Sequence, residues 1–322
     1  MKTQNSIIKK VIIAGCVIFT LALGGSIVVG GLISDKILHQ NKGKDTSENS
    51  IKQLEKWGYD LEAFNNKYEG TEIKATAEDG NVVPATFFDG ESEKCAVLIH
   101  GAGGDRVSIY PLAEQYIERG YDVIAFDQRG CGMNADDQVT FGIHEALDVE
   151  AMVSYAREEL HEDEVIVHGQ SMGAQTAVIY AANVKTNSSA AADAVIADSP
   201  VPGMELILRE MFADSDDEEK KNSLMNDFLI GTSKTFMKIF NKVDYDDADT
   251  IAVAKDIELP TMIIVSDKDE TCLPKYVEMV YDNMTCEKRS IAHFDSSHIE
   301  GVIDDPEGYM DSVETFLASV EK

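Results

Sequence analysis

Apolar runs of strand length alternate with segments of helical pattern from about residue 70 to the end of the chain. Most of these runs are apolar without alternation, which is typical of strands that are buried on both faces. The pattern therefore predicts an α/β fold with a largely parallel sheet, covered by helices on both sides. Helices are expected around 108–119, 144–160, from 171 onward and at 309–321. The predicted strands are TEIKATA, VVPATFF, KCAVLIHG, YDVIAFD, EVIVHG, AVIADSP, TMIIVSD and KRSIAH, of which the first two flank EDGN as an antiparallel hairpin.

The strand rhythm stops between Pro202 and about Ala254. The segments MELILREMF, LMNDFLI and FMKIF carry apolar residues at helical spacing instead. An insertion of about 50 residues is too long for a simple loop. We therefore expect a helical cap at about 202–254 within a domain that spans 70–322. Its Met and Phe residues are expected to form its packing face, and some of them to line a pocket.

The beginning of the chain carries a long uncharged stretch from Val11 to Ile33. These 23 residues exceed the roughly 20 that a helix needs to cross a bilayer. Three lysines precede the stretch, which predicts an amino terminus inside the cell and the rest of the chain outside it. Residues 1–36 are thus predicted to be an uncleaved single-pass signal anchor, with 37–69 as a linker and short helical segment. The alternative is cleavage within this stretch, at a loose signal-peptidase site (Ala22-Leu23-Gly24), which would release a secreted protein.

The charge and the cysteines limit which partners and cofactors the chain is expected to bind. The chain has 28 Lys and Arg residues against 58 Asp and Glu, a formal net charge of −30, and such a surface repels nucleic acid and anionic head groups. The five cysteines show no metal-ligand spacing, and the glycine-rich HGAGGDR lacks a Walker lysine, so no metal or other cofactor is expected. Outside the membrane disulfides are permitted, and their pairing stays open among Cys95, Cys131, Cys272 and Cys286.

The stretch VIVHGQSMGAQTAVIYAA, residues 165 to 182, places one serine between two glycines where a strand ends and a helix begins. A serine on a sharp strand-to-helix turn has an exposed hydroxyl, and the flanking positions leave no room for a side chain. The first amides of the following helix point toward any oxyanion that forms on a bound substrate. Ser171 in this context is a candidate nucleophile.

Three further stretches end strands with polar residues: LIHGAGGDR at 98–106, IIVSDKDETCLP at 263–274 and AHFDSSHIEG at 292–301. They supply a glycine-rich loop, two aspartates and two histidines, in that order along the chain. A serine nucleophile needs an imidazole to take its proton and a carboxylate to fix the tautomer of that imidazole. The order serine, aspartate, histidine fits this requirement.

These motifs resemble the α/β-hydrolase superfamily over residues 70–322, and more narrowly its bacterial membrane-anchored or secreted serine hydrolases of the esterase and serine-aminopeptidase branch. DQRGCG (127–132) and TFGIHEALDV (140–149) match loops of that group. Met133 and Asn134 stand where the group usually has a serine soon after the glycine. The resemblance implies a mostly parallel eight-stranded sheet with a helical cap insertion.

The resemblance also implies roles for the candidate residues. Ser171 would attack the acyl carbon, with His298 as base and Asp269 as the orienting acid. His298 is preferred over His293 because it lies in the loop after the last strand rather than on the strand. Asp269 is preferred over Asp267 because the resemblance places the acid three residues after the small residue at the strand end.

The backbone N–H groups of Ala102 and Met172 are expected to form the oxyanion hole. Other polar residues of the motifs have structural explanations. Arg129 and Arg106 are expected to brace loops or lie exposed, and Glu145 and Asp148 are expected to anchor a loop or to form a solvated pair.

Three functions compete on this sequence. The first is a hydrolase of carboxylic esters or thioesters that works through an acyl-enzyme on a small-molecule acyl substrate. The second is a serine peptidase of the aminopeptidase or prolyl-peptidase type acting on short peptides, with Glu205 or Glu210 holding a substrate ammonium. The third is a non-catalytic surface module that binds a partner. Neither the natural substrate nor the oligomeric state can be predicted from the sequence.

Overall fold

The computed structural model describes residues 24–213 and 222–320 of the chain. Its strands are β1 Gly70–Thr76, β2 Val82–Phe88, β3 Lys94–Ile99, β4 Asp122–Phe126, β5 Glu164–Gln170, β6 Ala194–Asp198, β7 Thr261–Ser266 and β8 Arg289–Phe294. Its helices are α1 24–38, α2 Thr46–Trp57, α3 Leu61–Lys67, α4 Tyr110–Glu118, α5 Glu145–Glu158, α6 Met172–Asn183, α7 Met204–Ala213, α8 Leu224–Phe236, α9 Thr250–Val253, α10 Pro274–Asn283, α11 Gly301–Asp304 and α12 Pro306–Val320. A π-helical turn, Met237–Asn241, continues α8.

The eight strands form one sheet in the order β1-β2-β4-β3-β5-β6-β7-β8. The pairs β1–β2 and β2–β4 are antiparallel, and the five remaining neighbouring pairs are parallel. The predicted mostly parallel sheet and its first hairpin are therefore confirmed. The carboxyl ends of the parallel strands lie along one edge, which is where the loops with polar residues emerge.

Both faces of the central strands are covered, which explains why their sequences do not alternate. Every residue of β4, β6 and β7 is buried. On one face, Ala96 and Leu98 of β3 pack in a core with α3, α4 and α12, while α5 and α6 contact the strands from the other face. Burial at about 25 cal/mol per Å² on both faces makes this sheet the main source of stability.

The chain divides into two compact units. The larger unit contains His39–Ile207 and Asp246–Lys322, and the smaller contains Met1–Leu38 and Leu208–Tyr245. The larger unit holds the sheet. The described part of the smaller unit consists of α1, the end of α7, α8 and the π-helical turn. The insertion between β6 and β7 is thus helical, as its apolar spacing predicted.

The solvent exposure in this insertion differs from the expected packing face. Met237 is buried, but Met225, Phe228 and Phe240 are exposed, whereas Asn226 is buried. The spacing of apolar residues gave the correct secondary structure, but the expected packing face is right for Met204 and Met237 and wrong for Met225, Phe228 and Phe240.

The stretch predicted to link anchor and domain carries two capped helices. The side chain of Asp45 accepts a hydrogen bond from the backbone N–H of Glu48 at the start of α2, and Gly58 ends that helix in the left-handed conformation. The side chain of Asp60 caps α3 through the N–H of Ala63. Phe64 of α3 is buried in the core of the larger unit.

Residues 11–23 of the predicted anchor lie outside the described residues. Among the helices that the structure does describe, none combines the length and the apolar character needed to cross a membrane. The anchor stays a prediction. Cys95, Cys131, Cys272 and Cys286 are all buried free thiols, which answers the pairing question that the sequence left open for these four.

Candidate active site

Ser171 occupies the turn between β5 and α6. Its backbone angles are φ 56° and ψ −117°, and a non-glycine residue adopts such a positive φ only under strain. Its N–H donates to the carbonyl oxygen of Asp198 on the neighbouring strand at 2.9 Å, which ties the turn to the sheet. This strained turn therefore places the Ser171 hydroxyl at the carboxyl edge of the sheet, as predicted for a nucleophile elbow.

The two glycines around Ser171 are required by close backbone contacts. A Cβ atom at Gly169 would overlap the carbonyl oxygen of Gly173, and a Cβ atom at Gly173 would overlap the carbonyl oxygen of Ile99 on β3. The first turn of α6 therefore packs against two strands with no room for a methyl group.

His298 and Asp269 meet Ser171 in one hydrogen-bonded line. His298 Nε2 lies 2.8 Å from Ser171 Oγ, and His298 Nδ1 lies 2.6 Å from Asp269 Oδ2. The other carboxylate oxygen, Oδ1, accepts the backbone N–H groups of Thr271 and Cys272 at 2.7 and 2.8 Å. Asp269 is buried, and the side chain of His298 is 21% exposed. A carboxylate fixed by two amides can orient an imidazole that stays accessible to substrate.

The two residues that the sequence analysis ranked second pair with each other. His293 Nδ1 lies 2.8 Å from Asp267 Oδ1, and both side chains are more than 40% exposed. His293 belongs to β8, whereas the loop after that strand carries His298 back toward Ser171. The structure thus brings together the preferred histidine and aspartate, and it separates them from their alternatives.

The glycine-rich loop after β3 runs beside the nucleophile. A Cβ atom at Gly101 would lie 3.3 Å from the Cβ of Ser171, so Ala102 follows directly after the point of closest approach. The buried His100 braces the loop: its Nε2 accepts the N–H of Gln128, so its Nδ1–H donates to the carbonyl of Gly101 at 2.7 Å. Met172 is the first residue of α6, whose first-turn amides have no carbonyl partner within the helix. Both predicted oxyanion donors are therefore near Ser171.

Helix α2 supports this loop through contacts that the sequence did not indicate. Asn49 Nδ2 donates to the carbonyl of Gly103 at 2.9 Å, and the hydroxyl of Ser50 accepts the N–H of Asp105 at 2.8 Å. Ser47 Oγ donates to the Asp105 carboxylate. These polar side chains lie more than 50 positions before the loop in the sequence, so no local sequence pattern predicts their contacts with it. The segment before the sheet positions the loop that carries Ala102.

The same helix reaches the loop of His298. Trp57 Nε1 donates to Glu300 Oε1 at 3.0 Å, and Lys56 lies 3.7 Å from the same carboxylate. His298 lines a surface depression with these residues and with Lys268. The imidazole is therefore reached from solvent at a site that α2 helps to form.

The two motif loops shared with the resembling family have structural roles. The buried guanidinium of Arg129 forms ion pairs with Asp148 at 2.8 Å and with Asp79 at 2.7 Å. The buried carboxylate of Glu145 accepts hydrogen bonds from the backbone and hydroxyl of Thr140 and from the N–H of Gly142. Both groups therefore hold loops, as expected.

A buried carboxylate behind the nucleophile was missed by the sequence analysis. Asp198 ends β6, and its side chain accepts hydrogen bonds from Tyr309 Oη, Gln170 Nε2 and Ser199 Oγ. Burial raises the pKa of Asp198, while these donors favour its charged form. A polar residue at the carboxyl end of an otherwise apolar strand is the signal that could have found it.

His168 lies on β5 below the same edge and has a packing role. Its ring nitrogens contact the hydroxyls of Tyr116 at 2.9 Å and Tyr309 at 3.0 Å. Burial lowers the pKa of His168 to about 3, so the ring is neutral. It is a satisfied core histidine and not a second base.

One group of described residues could hold a metal ion. Asp269, Cys272 and His298 present an oxygen, a sulfur and a nitrogen atom within 4.8 Å of one another. Burial raises the pKa of the Cys272 thiol, which disfavours the thiolate that a metal requires. Asp269 and His298 already bond to each other, so the geometry fits proton handling better than metal binding.

Comparison with known proteins identifies a matching family model and similar sequences. A family model described as alpha/beta hydrolase fold matches residues 97–229. The chain is 23% identical over 299 residues to the protein YqkD of Bacillus subtilis, described as uncharacterized, covering 90% of this chain and 92% of that protein. It is 31% identical over 94 residues to a proline iminopeptidase of Clostridium botulinum, covering 29% of this chain and 32% of that protein.

Solved structures share the fold. The esterase Pf2001 of Pyrococcus furiosus superposes with a TM-score of 0.62 at 22% identity, covering 81% of this chain and 96% of that chain. An esterase from Exiguobacterium antarcticum superposes with a TM-score of 0.52 at 17% identity, covering 78% of this chain and all of that chain. At such identities the likeness concerns the fold alone.

Proposed function

The chain belongs to the α/β-hydrolase superfamily, and on this premise we propose that it is a serine hydrolase of carboxylic esters or thioesters. The observation that carries the proposal is the line from Ser171 Oγ through the His298 imidazole to the Asp269 carboxylate, with distances of 2.8 and 2.6 Å. A hydroxyl, an imidazole and a carboxylate in this order are the groups that acyl transfer through a serine needs.

In the first half of the reaction, Ser171 Oγ attacks the carbonyl carbon of the substrate while His298 Nε2 takes the hydroxyl proton. The resulting imidazolium donates from Nδ1 to Asp269, whose negative charge stabilises it, and then protonates the leaving alcohol or thiol. In the second half a water attacks the acyl-enzyme, with the same imidazole as base, and the acid is released.

The oxyanion of each tetrahedral intermediate would be held by the N–H groups of Met172 and Ala102. The Met172 amide opens α6, whose dipole adds to the stabilisation. The Ala102 amide belongs to the loop that His100 and α2 brace. A preorganised donor of this kind contributes a factor of about 10²–10³ to kcat.

The second candidate is a serine peptidase of the aminopeptidase or prolyl-peptidase type. The local similarity to proline iminopeptidases supports it, although it covers less than a third of the chain. A substrate ammonium would then need a carboxylate partner, for which Glu205 or Glu210 is our candidate. Replacement of either by Gln should raise KM for aminoacyl substrates and leave simple esters unaffected.

Labelling with a fluorophosphonate probe tests the chemistry directly. We expect a single covalent adduct on Ser171 of the wild-type chain and no adduct on Ser171→Ala. An unlabelled wild-type chain would contradict the proposal and would favour a surface module that only binds a partner. Ser199→Ala is a matched control, because this second serine at the sheet edge donates to Asp198 and should not be needed for labelling.

A substrate panel then separates the two chemistries. We expect turnover of p-nitrophenyl acyl esters and thioesters with weak cleavage of prolyl and other aminoacyl anilides. Ser171→Ala should lower kcat by about 10⁵ or more with the fold intact. A higher kcat/KM for prolyl anilides than for every ester would establish the peptidase reading instead.

We also propose that residues 1–36 anchor the enzyme in the cell membrane, with the sheet-containing unit on the extracytoplasmic side. The support is the uncharged stretch Val11–Ile33 and the lysines before it. Protease added to intact cells should degrade the domain, and it should degrade nothing if the domain faces the cytoplasm. Secretion after cleavage would instead leave the domain in the culture medium.

A further inference from the structure

Large apolar side chains on the surface concentrate in the smaller unit, which we call the helical unit (24–38, 208–213 and 222–245 among the described residues). The unit makes up less than a sixth of the described residues. Yet, of the twelve large apolar side chains that are exposed within 24–213 and 222–320, it carries eight: Ile27, Val28, Leu32, Leu224, Met225, Phe228, Ile239 and Phe240. Such a concentration marks an interaction surface rather than scattered exposed residues.

Helix α8 and its π-helical turn expose five large apolar side chains, while two of the four residues in their buried stripe are polar. The buried stripe at positions 226, 230, 233 and 237 includes Asn226 and Ser233. By contrast, Leu224 is 87% exposed and Phe240 is 59% exposed. A helix on a water-facing surface shows the opposite arrangement, with its apolar stripe inward.

Helix α1 has the same inverted arrangement. Its buried stripe is Gly30, Ser34 and Leu38, spaced four residues apart, so two of three buried positions carry small or polar residues. Its exposed positions include Val28 and Leu32, the latter 69% exposed.

The two helices contact each other through these small residues. A Cβ atom at Gly30 would lie only 2.5 Å from the carbonyl oxygen of Thr232, so the backbones are in close contact there. Ser34 Oγ donates to the carbonyl of Ser233, and Ser233 Oγ in turn accepts from the hydroxyl of Tyr245. Glycine at the closest approach and serine hydrogen bonds between helices are typical of helix packing in lipid.

From this inverted arrangement we propose that the exposed apolar face of the helical unit is a membrane-contact surface, which α8 and its π-helical turn insert into the hydrocarbon of one phospholipid leaflet. The inference rests on the proposed anchor and not on the proposed chemistry. It extends the anchor by a second element, some 200 positions later in the chain.

A bilayer fits this surface better than a second copy of the chain. The uncharged residues 11–23 run directly into residues 24–33 of α1, and together they form the 23-residue stretch that is long enough for a bilayer. The segment 230–242 contains Lys234, Lys238 and Lys242 and no acidic residue, although the chain as a whole is strongly acidic. Lys238 pairs with Asp244, whereas Lys242, two residues after Phe240, can extend its ammonium group to the head groups while the apolar side chains enter the leaflet.

Tryptophan quenching by brominated lipid tests the proposal, because Trp57 is the single tryptophan of the chain. In a Trp57→Phe background, the full chain carrying Phe240→Trp is reconstituted in phosphatidylcholine nanodiscs with plain or brominated acyl chains. We expect fluorescence to fall about twofold or more with brominated lipid, since a side chain inserted about 5–10 Å into the leaflet touches the bromine atoms. Leu224→Trp, on the same face, repeats the test if the first variant does not fold.

Two matched variants separate the possible outcomes. Met279→Trp places the probe at an exposed position of α10 in the other unit and should show no quenching. Phe19→Trp places it in the predicted anchor. Quenching at position 19 but not at 240 or 224 would overturn the contact surface and keep the anchor, whereas no quenching at any position would overturn both. Energy transfer between chains at position 240 without quenching by lipid would show that a second copy covers the face, and this too would overturn the proposal.

Discussion

Replacing Asp269 with asparagine should trap His298 in the wrong tautomer. Oδ1 of Asp269 accepts two backbone N–H groups, from Thr271 and Cys272, and only Oδ2 faces His298. In Asp269→Asn the amide oxygen must therefore keep the Oδ1 position, since reversing the amide would lose both bonds, at about 1 kcal/mol each. The amide NH2 then faces His298 Nδ1.

An NH2 group facing Nδ1 requires that nitrogen to be unprotonated, so the proton moves to Nε2. His298 would then donate to Ser171 Oγ and could no longer accept its proton. For a change of tautomer with intact geometry we expect kcat to fall by about 10⁴, or roughly 5.5 kcal/mol in the activation free energy. KM should change by less than about threefold, because Asp269 is buried and touches no substrate.

The matched control is Asp267→Asn. Asp267 also follows β7, and its carboxylate pairs with His293. Its pair with His293 is exposed, and exposed pairs contribute little, so kcat should stay within about twofold of wild type. Steady-state hydrolysis of a p-nitrophenyl ester, normalised to folded protein by circular dichroism, measures both variants. A loss of less than about tenfold in Asp269→Asn, or a larger loss in Asp267→Asn, would refute the tautomer argument.

Two further predictions concern stability. Gly173→Ala should lower the unfolding free energy by about 3 kcal/mol or more, because its methyl group would overlap the Ile99 carbonyl. Gly231→Ala, with open space around it, should change the unfolding free energy by less than about 1 kcal/mol. Equal thermal midpoints of the two variants would contradict this. Burial and the neighbouring Asp122 raise the pKa of Glu162 to about 8. The folded chain therefore keeps a proton on Glu162 that the unfolded chain loses near pH 4.3. The stability that this difference contributes at low pH is lost as the pH rises toward 8. Glu162→Gln mimics the protonated form, so in urea titrations it should lose less stability than wild type between about pH 5 and about pH 9. Identical losses would disprove the raised pKa of Glu162.

The sheet and the nucleophile elbow were predictable because their signals are local. Strands buried on both faces leave continuous apolar runs, and the polar residue that follows each run marks the carboxyl edge. The glycines beside Ser171 are present because backbone atoms occupy the space of a methyl group. His298 could be ranked above His293 because one lies on the strand and the other beyond it. In each case a short stretch contains the whole physical reason.

The support of the glycine-rich loop by α2 was not predictable in this way. Ser47, Asn49 and Ser50 contact a loop that begins about 50 positions later, and their hydrogen bonds leave no trace in the hydropathy pattern. Asp198 was missed for a related reason, because its three donors come from β5, α12 and the residue that follows it. Polar contacts between distant segments depend on the finished fold.

The helical unit shows a different limit of the hydropathy pattern. The spacing of apolar residues in LMNDFLI and FMKIF gives the phase of a helix, and the secondary structure follows from it. It does not say whether the apolar stripe faces protein or solvent, because that choice depends on what the solvent is. In water the stripe turns inward, and in hydrocarbon the small and polar residues do so instead. Gly30, Ser34 and Ser233 are buried while Leu32 and Phe240 are exposed, which is the arrangement expected where hydrocarbon is the solvent, so the proposed anchor and the proposed membrane contact would share one physical cause.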